Sequence, residues 1–183
     1  MIICDLTFIL GGIRSGKSAY AEQLAIESGY PVTYIATAYA DDDELAERIE
    51  RHQVRRPANW NYVHEPIELA YRLRKLDHIH TCVLIDCLTL WLANLLCPRQ
   101  KRDIPLNTAQ YKAYANELET ALCISSTKLI IVSNEIGLGV IPNGNITRWY
   151  VDELGELNQR IAKLAMRVIL VIAGLPISIK EQM

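Results

Sequence analysis

The chain has 183 residues, half of them apolar, with 19 basic and 21 acidic side chains and a formal net charge of -2. That length supports one globular domain, residues 1–183, with a sizeable core. The near-neutral balance excludes a global electrostatic pull toward nucleic acid or an anionic membrane, so any anion site must be local.

In chain order, short β-rich runs alternate with helix-like stretches. Strands are expected at Leu6–Leu10, Val32–Ala36, Thr81–Ile85, Lys128–Val132 and Val168–Ile172. Their near-continuous apolar character suits a sheet covered on both faces. Helices are expected at Lys17–Ser28, Asp42–Val54, Pro66–Lys75, Leu88–Leu96, Thr108–Ser125 and Thr147–Met166. The alternation predicts an α/β fold with a mostly parallel sheet, in which ligands collect beyond the carboxyl ends of the strands. After Gly174-Leu175-Pro176, the segment Ile177–Lys180 is expected to return as an antiparallel edge strand. The polar stretch Cys97–Asn107 reads as a loop, either a lid or inert surface.

The leading segment MIICDLTFIL lacks a basic region and a cleavage site, and VILVIAGLPISI is too short to span a bilayer. The five cysteines, Cys4, Cys82, Cys87, Cys97 and Cys123, have no CxxC spacing and are odd in number. Together these features predict a cytoplasmic protein with reduced thiols and no membrane span.

The strongest chemical signal is GGIRSGKS, comprising Gly11, Gly12, Ile13, Arg14, Ser15, Gly16, Lys17 and Ser18. It has the spacing G-x-x-x-x-G-K-S and stands between an apolar strand and a helix, as a phosphate-binding loop must. There, backbone N–H groups and the helix N-terminus wrap phosphates, Lys17 reaches β- and γ-oxygens, and the Ser18 hydroxyl ligates Mg²⁺. Such a site needs a carboxylate at the end of another buried strand. Asp86, after VLI, is the candidate metal-organising acid, with a helix N-cap as its competing role.

His52 stands among Arg48, Arg51, Arg55 and Arg56. In a helix, Glu44, Arg48 and His52 share one face. Two readings stay open on spacing alone: a solvated basic helix end, or arginines binding phosphate while His52 attacks phosphorus. Asn134 and Glu135, after the strand KLIIVS, are secondary candidates at the carboxyl edge, with capping or loop bonding as the alternative. His78 and His80 in DHIHTC lack a third ligand for a metal.

The combination of GGIRSGKS, YIAT, DDELAERIERH, RPANW, SNEIGLGVIP and LGELNQRIA resembles the bifunctional adenosylcobinamide kinase / adenosylcobinamide-phosphate guanylyltransferase family of cobalamin biosynthesis. The resemblance runs nearly end to end and implies a P-loop NTPase (RecA-like) fold. It implies ATP or GTP as phosphoryl donor, GTP as guanylyl donor, Mg²⁺, a corrinoid substrate and a homotrimer. It places a covalent GMP-carrying role on His52, and nucleotide contacts on Gly11 to Ser18, Ala36, Thr37, Ala38, Gln53, Val54, Arg55, Arg56, Glu65 and Asp86. Lys17 and His52 would be catalytic. A P-loop small-molecule kinase without a covalent step, and a partner-regulated ATPase or GTPase switch, are the alternatives that the phosphate motif alone leaves.

Overall fold

The computed structural model describes residues 5–39, 56–78, 80–96, 106–140 and 142–181. The expected helix Asp42–Val54, with His52, Gln53, Val54 and Arg55, and residues 97–105 of the basic loop lie outside them.

Seven strands form one sheet: β1 (Leu6–Gly11), β2 (Val32–Ala36), β3 (Asn61–His64), β4 (Cys82–Asp86), β5 (Lys128–Asn134), β6 (Arg167–Ile172) and β7 (Leu175–Glu181), in the order β3-β2-β4-β5-β1-β6-β7. All neighbouring pairs are parallel except β6 with β7. The chain leaves β1 toward β2 on one side, and β6 later settles on the other. The crevice where ligands collect in such sheets therefore lies beyond the carboxyl end of β1.

Alternating side chains divide between two cores. Leu6, Phe8, Leu10, Val83, Ile85 and Ile131 pack beneath α2 (Leu69–Leu76), α3 (Leu88–Leu96), α4 (Thr108–Ile124) and α5 (Asn145–Leu164). Ile9, Tyr34, Leu84, Ile130 and Val171 pack on the other face, against Ala21 and Ala25 of α1 (Lys17–Glu27). Trp91 is buried in the first core and donates its indole N–H to Ile67 O at 2.8 Å, so its one polar atom is satisfied.

The expected α/β architecture, helices on both faces and antiparallel edge are present. β3 was not expected: in NYVH only Val63 is aliphatic and three of the four residues are exposed, so this edge strand carries no apolar run. β7 is longer than Ile177–Lys180 and accommodates Pro176, as an edge position allows. α2 begins at Leu69 rather than Pro66 because the Glu65 carboxylate accepts from the N–H groups of Ile67 and Glu68 at 3.4 and 2.9 Å, holding that turn before the helix.

Two helix starts differ in a way that bears on the site. At α4 the Asn107 side chain accepts from Gln110 N–H and the Gln110 side chain accepts from Asn107 N–H, a reciprocal cap. At α1 the preceding residue is Gly16, with φ 95°, and no side chain caps the first turn. The N–H groups and partial positive charge of that turn are left facing the crevice.

Candidate active site

β1 ends at Gly11, and a Cβ there would lie 2.5 Å from Ser15 Oγ and 2.7 Å from Val171 O, so only glycine lets the loop fold back this closely. Gly16 is in the left-handed region, and a Cβ on it would stand 3.1 Å from Gly174 Cα. Gly174 belongs to the β6–β7 turn, and its N–H donates to Ser15 O at 2.8 Å. The C-terminal hairpin thus buttresses the loop from behind. Lys17 is nearly buried and donates from Nζ to Gly12 O at 3.1 Å, so its ammonium is folded over the loop. Ser15 Oγ is buried with no hydrogen-bond partner.

A cavity of about 280 Å³ opens in front of this loop. Of the residues expected from sequence, Ile13, Arg14, Lys17 and Ser18 line it on the loop side. Ala36, Ala38, Arg56 and Asp86 line the facing side. The carboxyl ends of β1, β2 and β4 therefore bring Lys17, Ser18 and Asp86 to one space, although up to 69 residues separate them in the chain.

Tyr34, within YIAT, organises the wall. Its hydroxyl donates to Asp86 Oδ2 at 3.1 Å. Burial, and then the Asp86 charge, push the Tyr34 phenol well above its usual range, while the Arg56 guanidinium opposes them. At neutral pH it remains a donor that orients the carboxylate. Arg56 lies 3.5 Å from the centre of the Tyr34 ring and donates through Nε to Glu22 Oε1 of α1 at 2.8 Å. Tyr62 of β3 stacks on Tyr34 with ring centres 5.8 Å apart. Neither aromatic lies in a motif that spacing alone marks as chemical. Their signal was only a tyrosine in each of two strands, which the β2–β3 register places directly opposite.

Other expected residues have structural partners. Thr37 is fully buried, and its hydroxyl donates to Cys87 O at 2.7 Å and accepts from Cys87 N–H at 2.9 Å, clasping the ends of β2 and β4. Glu65 does not line the cavity; it holds the turn before α2 and pairs with Arg72 at 3.2 Å. Burial first, then the Asp86 charge, raises the Cys87 thiol to about 11, so it is not a thiolate nucleophile at neutral pH. Among the described residues no cluster of three or more His, Cys, Asp or Glu forms a metal cage.

Asn134 lines the cavity beside Gly11, its β1 partner. Its N–H donates to Thr89 Oγ1 at 2.7 Å, its carbonyl accepts from Asn158 Nδ2 at 3.0 Å, and its buried Oδ1 has no partner. Glu135 instead turns the following loop, accepting from Gly137 N–H at 2.8 Å.

The strand order, the glycine loop before an uncapped helix and the facing Asp86 define a P-loop nucleotide-binding protein of RecA-like architecture. Solved structures share that fold. A protein of Pyrococcus horikoshii OT3 covers 99% of this chain and 88% of its own, with TM-score 0.58 and 10% identity. The RadB recombinase covers 90% and 73%, with TM-score 0.50 and 14% identity. An ATPase of the type III secretion system covers 96% and 57%, with TM-score 0.50 and 10% identity.

Residues 7–179 match the family described as cobinamide kinase / cobinamide phosphate guanyltransferase, and the chain belongs to that family. It is 48% identical to the bifunctional adenosylcobalamin biosynthesis protein CobP of Pseudomonas aeruginosa, over 95% of this chain and 96% of the relative. It is 34% identical to the bifunctional adenosylcobalamin biosynthesis protein CobU of Salmonella typhimurium, over 96% of this chain and 99% of the relative.

Proposed function

We propose that the chain works as one domain, residues 1–183, that phosphorylates adenosylcobinamide with ATP or GTP and then transfers GMP from GTP to the product, giving adenosylcobinamide-GDP in cobalamin biosynthesis. The observation that carries this reading is the convergence of Lys17, Ser18 and Asp86 on one cavity at an uncapped helix start, in a chain of this family.

In the kinase step the aminopropanol hydroxyl attacks the γ-phosphorus, gives up its proton, and nucleoside diphosphate leaves. Lys17 and the first-turn N–H groups of α1 stabilise the charge that spreads over the phosphate oxygens. Mg²⁺, when bound, neutralises charge between phosphates. The Ser18 hydroxyl and the Asp86 carboxylate would hold it, and two protein oxygens suit a cation that keeps several waters and takes phosphate oxygens. Tyr34 orients Asp86 for that task.

In the second step His52 attacks the α-phosphorus of GTP through a neutral ring nitrogen, and pyrophosphate leaves. A phosphate oxygen of adenosylcobinamide phosphate then attacks the GMP-histidine and frees the imidazole. Dividing the transfer lets cations stage each meeting of anions separately. Arg56, fixed by Glu22 and Tyr34, is one such cation at the cavity wall, and Gln53, Val54 and Arg55, which precede it in sequence, supply further nucleotide contacts in this reading. The enzyme acts in the cytoplasm as a homotrimer, with small molecules rather than nucleic acid as partners. No helix among the described residues is long and apolar enough to cross a membrane.

The test is incubation with Mg²⁺ and α-labelled GTP, followed by denaturation. Acid-labile, base-stable label on the protein, absent from His52→Ala, is the expected result. Active kinase without covalent label overturns the histidine step and leaves a small-molecule kinase.

A further inference from the structure

A second, open cavity of about 630 Å³ lies between the loop after β5 and helix α5. Its floor is one face of α5: Arg148, Val151, Asp152, Gly155, Glu156 and Gln159 recur at helical spacing. At the centre of this face is Gly155, where a Cβ would meet nothing within 4 Å. Glycine is disfavoured inside a helix, and here its missing side chain leaves the floor of the cleft bare. The walls are apolar, from Ile136, Val140 and Pro142, and Val151 adds an apolar side chain to the floor. Leu138 and Val140 on the loop are 83% and 96% exposed and present apolar surface beside the cleft.

We infer that this cleft seats the apolar face and amide rim of a corrin macrocycle. The inference rests on the corrinoid substrate proposed above. Three observations select that occupant. The cleft volume falls within the range of small-molecule sites, about 300–1,000 Å³, whereas the cradle cavity is less than half as large and is committed to phosphates. A corrin ring offers broad apolar faces edged with primary amides. The apolar walls match the faces, while the Asp152 carboxylate accepts from amide N–H groups and Gln159 both donates and accepts. Finally, Asn134 at the end of β5 lines the cradle cavity and Ile136, two residues on, lines the cleft. A macrocycle seated there has its side arm beside the phosphate that it must reach.

The test compares Gly155→Trp, Gly155→Ala and Val140→Asp with the parent, by equilibrium dialysis of cobinamide read from its corrin absorbance and of Mg-GTP. Gly155→Trp fills the cleft without entering the core, and Val140 is too exposed to support the fold. Expected are about tenfold weaker cobinamide binding for Gly155→Trp, a smaller loss for Val140→Asp, parent-like binding for Gly155→Ala and unchanged GTP binding in all three, because a steric block acts only on its own ligand. Parent-like cobinamide affinity in both Gly155→Trp and Val140→Asp overturns the inference. If those variants instead dissociate the oligomer with cobinamide binding intact, the surface joins copies of the chain and the inference fails. A parent protein that binds GTP but no cobinamide defeats the proposed function itself, and this inference with it.

Discussion

Asp77 and Asp86 stand at opposite ends of the same sheet, one before β4 and one closing it, and their surroundings differ in kind. Asp77 Oδ1 accepts from Ser125 Oγ, Ser126 N–H and Oγ, and Thr127 N–H and Oγ1, at 2.7–3.2 Å. Asp86 accepts from Tyr34 and faces a cavity. Within the carboxyl end itself the helix starts also differ, since α4 has a reciprocal cap and α1 has no side-chain cap. At the amino end, the Asp77 carboxylate thus ties the approach to β4 to the approach to β5. At the carboxyl end, Ser15 Oγ and Asn134 Oδ1 are buried without partners, hydrogen-bonding capacity that the fold itself does not use.

The contrast breaks if the two ends respond alike to substitution. The largest expected effect is for Lys17→Ala, a loss of about 10²–10³ in kcat/KM for phosphoryl transfer with little change in Tm, since the lost interaction forms with the phosphate in the transition state. A large fall in Tm with activity retained would mean that the loop is a structural turn.

Asp77→Ala should do the reverse, lowering Tm by roughly 3–10 °C with kcat/KM held within about twofold, as expected for removing an ionised acceptor from several donors. Partial burial alone would raise the Asp77 pKa, but the Ser126 N–H and the hydroxyls of Ser125, Thr127 and Ser126 outweigh it and leave the carboxyl below its usual value. Because the folded pKa is the depressed one, this stabilisation is fully present above the unfolded value of about 3.9 and is lost as pH falls through the folded value. The Tm difference between parent and variant should therefore be constant near neutrality and shrink only in acid. A difference that instead changed between pH 6 and 8 would place the effect on another group.

The smallest effect tests whether the carboxyl end can be stabilised without disturbing its chemistry. Ala173 and Gly174 both have positive φ, 52° and 81°, in the two-residue β6–β7 turn. Ala173→Asn suits that conformation better and should raise Tm by about 1–3 °C with GTP affinity unchanged. A weaker GTP affinity would show that the turn does more than support Ser15.

Much of this was legible in the chain because its signals are local. GGIRSGKS needs only glycine freedom and its position between strand and helix, and VLI before Asp86 marks a buried strand with a carboxylate at its end. Five of the seven strands announce themselves as apolar runs, and the edge strand β7 was anticipated from ISIK. β3 escaped because an exposed edge strand needs no apolar run, and the site's Tyr34–Tyr62 stack escaped with it. Glu65, on which the resemblance places a nucleotide contact, holds Arg72 and the turn before α2 in this structure.

By itself, then, the sequence determined the kind of chemistry: phosphate held by a glycine loop and a lysine, with a carboxylate and a histidine available elsewhere in the chain. Those properties reside in residue type and short spacing, which folding does not change. Tertiary structure alone decided which of the scattered groups share a space. Parallel pairing of β1, β2, β4 and β5 brings Lys17, Asp86 and Asn134 to one crevice, and the β6–β7 turn carries Gly174 beneath the loop. Strand order and crossover connections set those meetings, and they depend on burying two cores at once, a condition that no local stretch of sequence expresses.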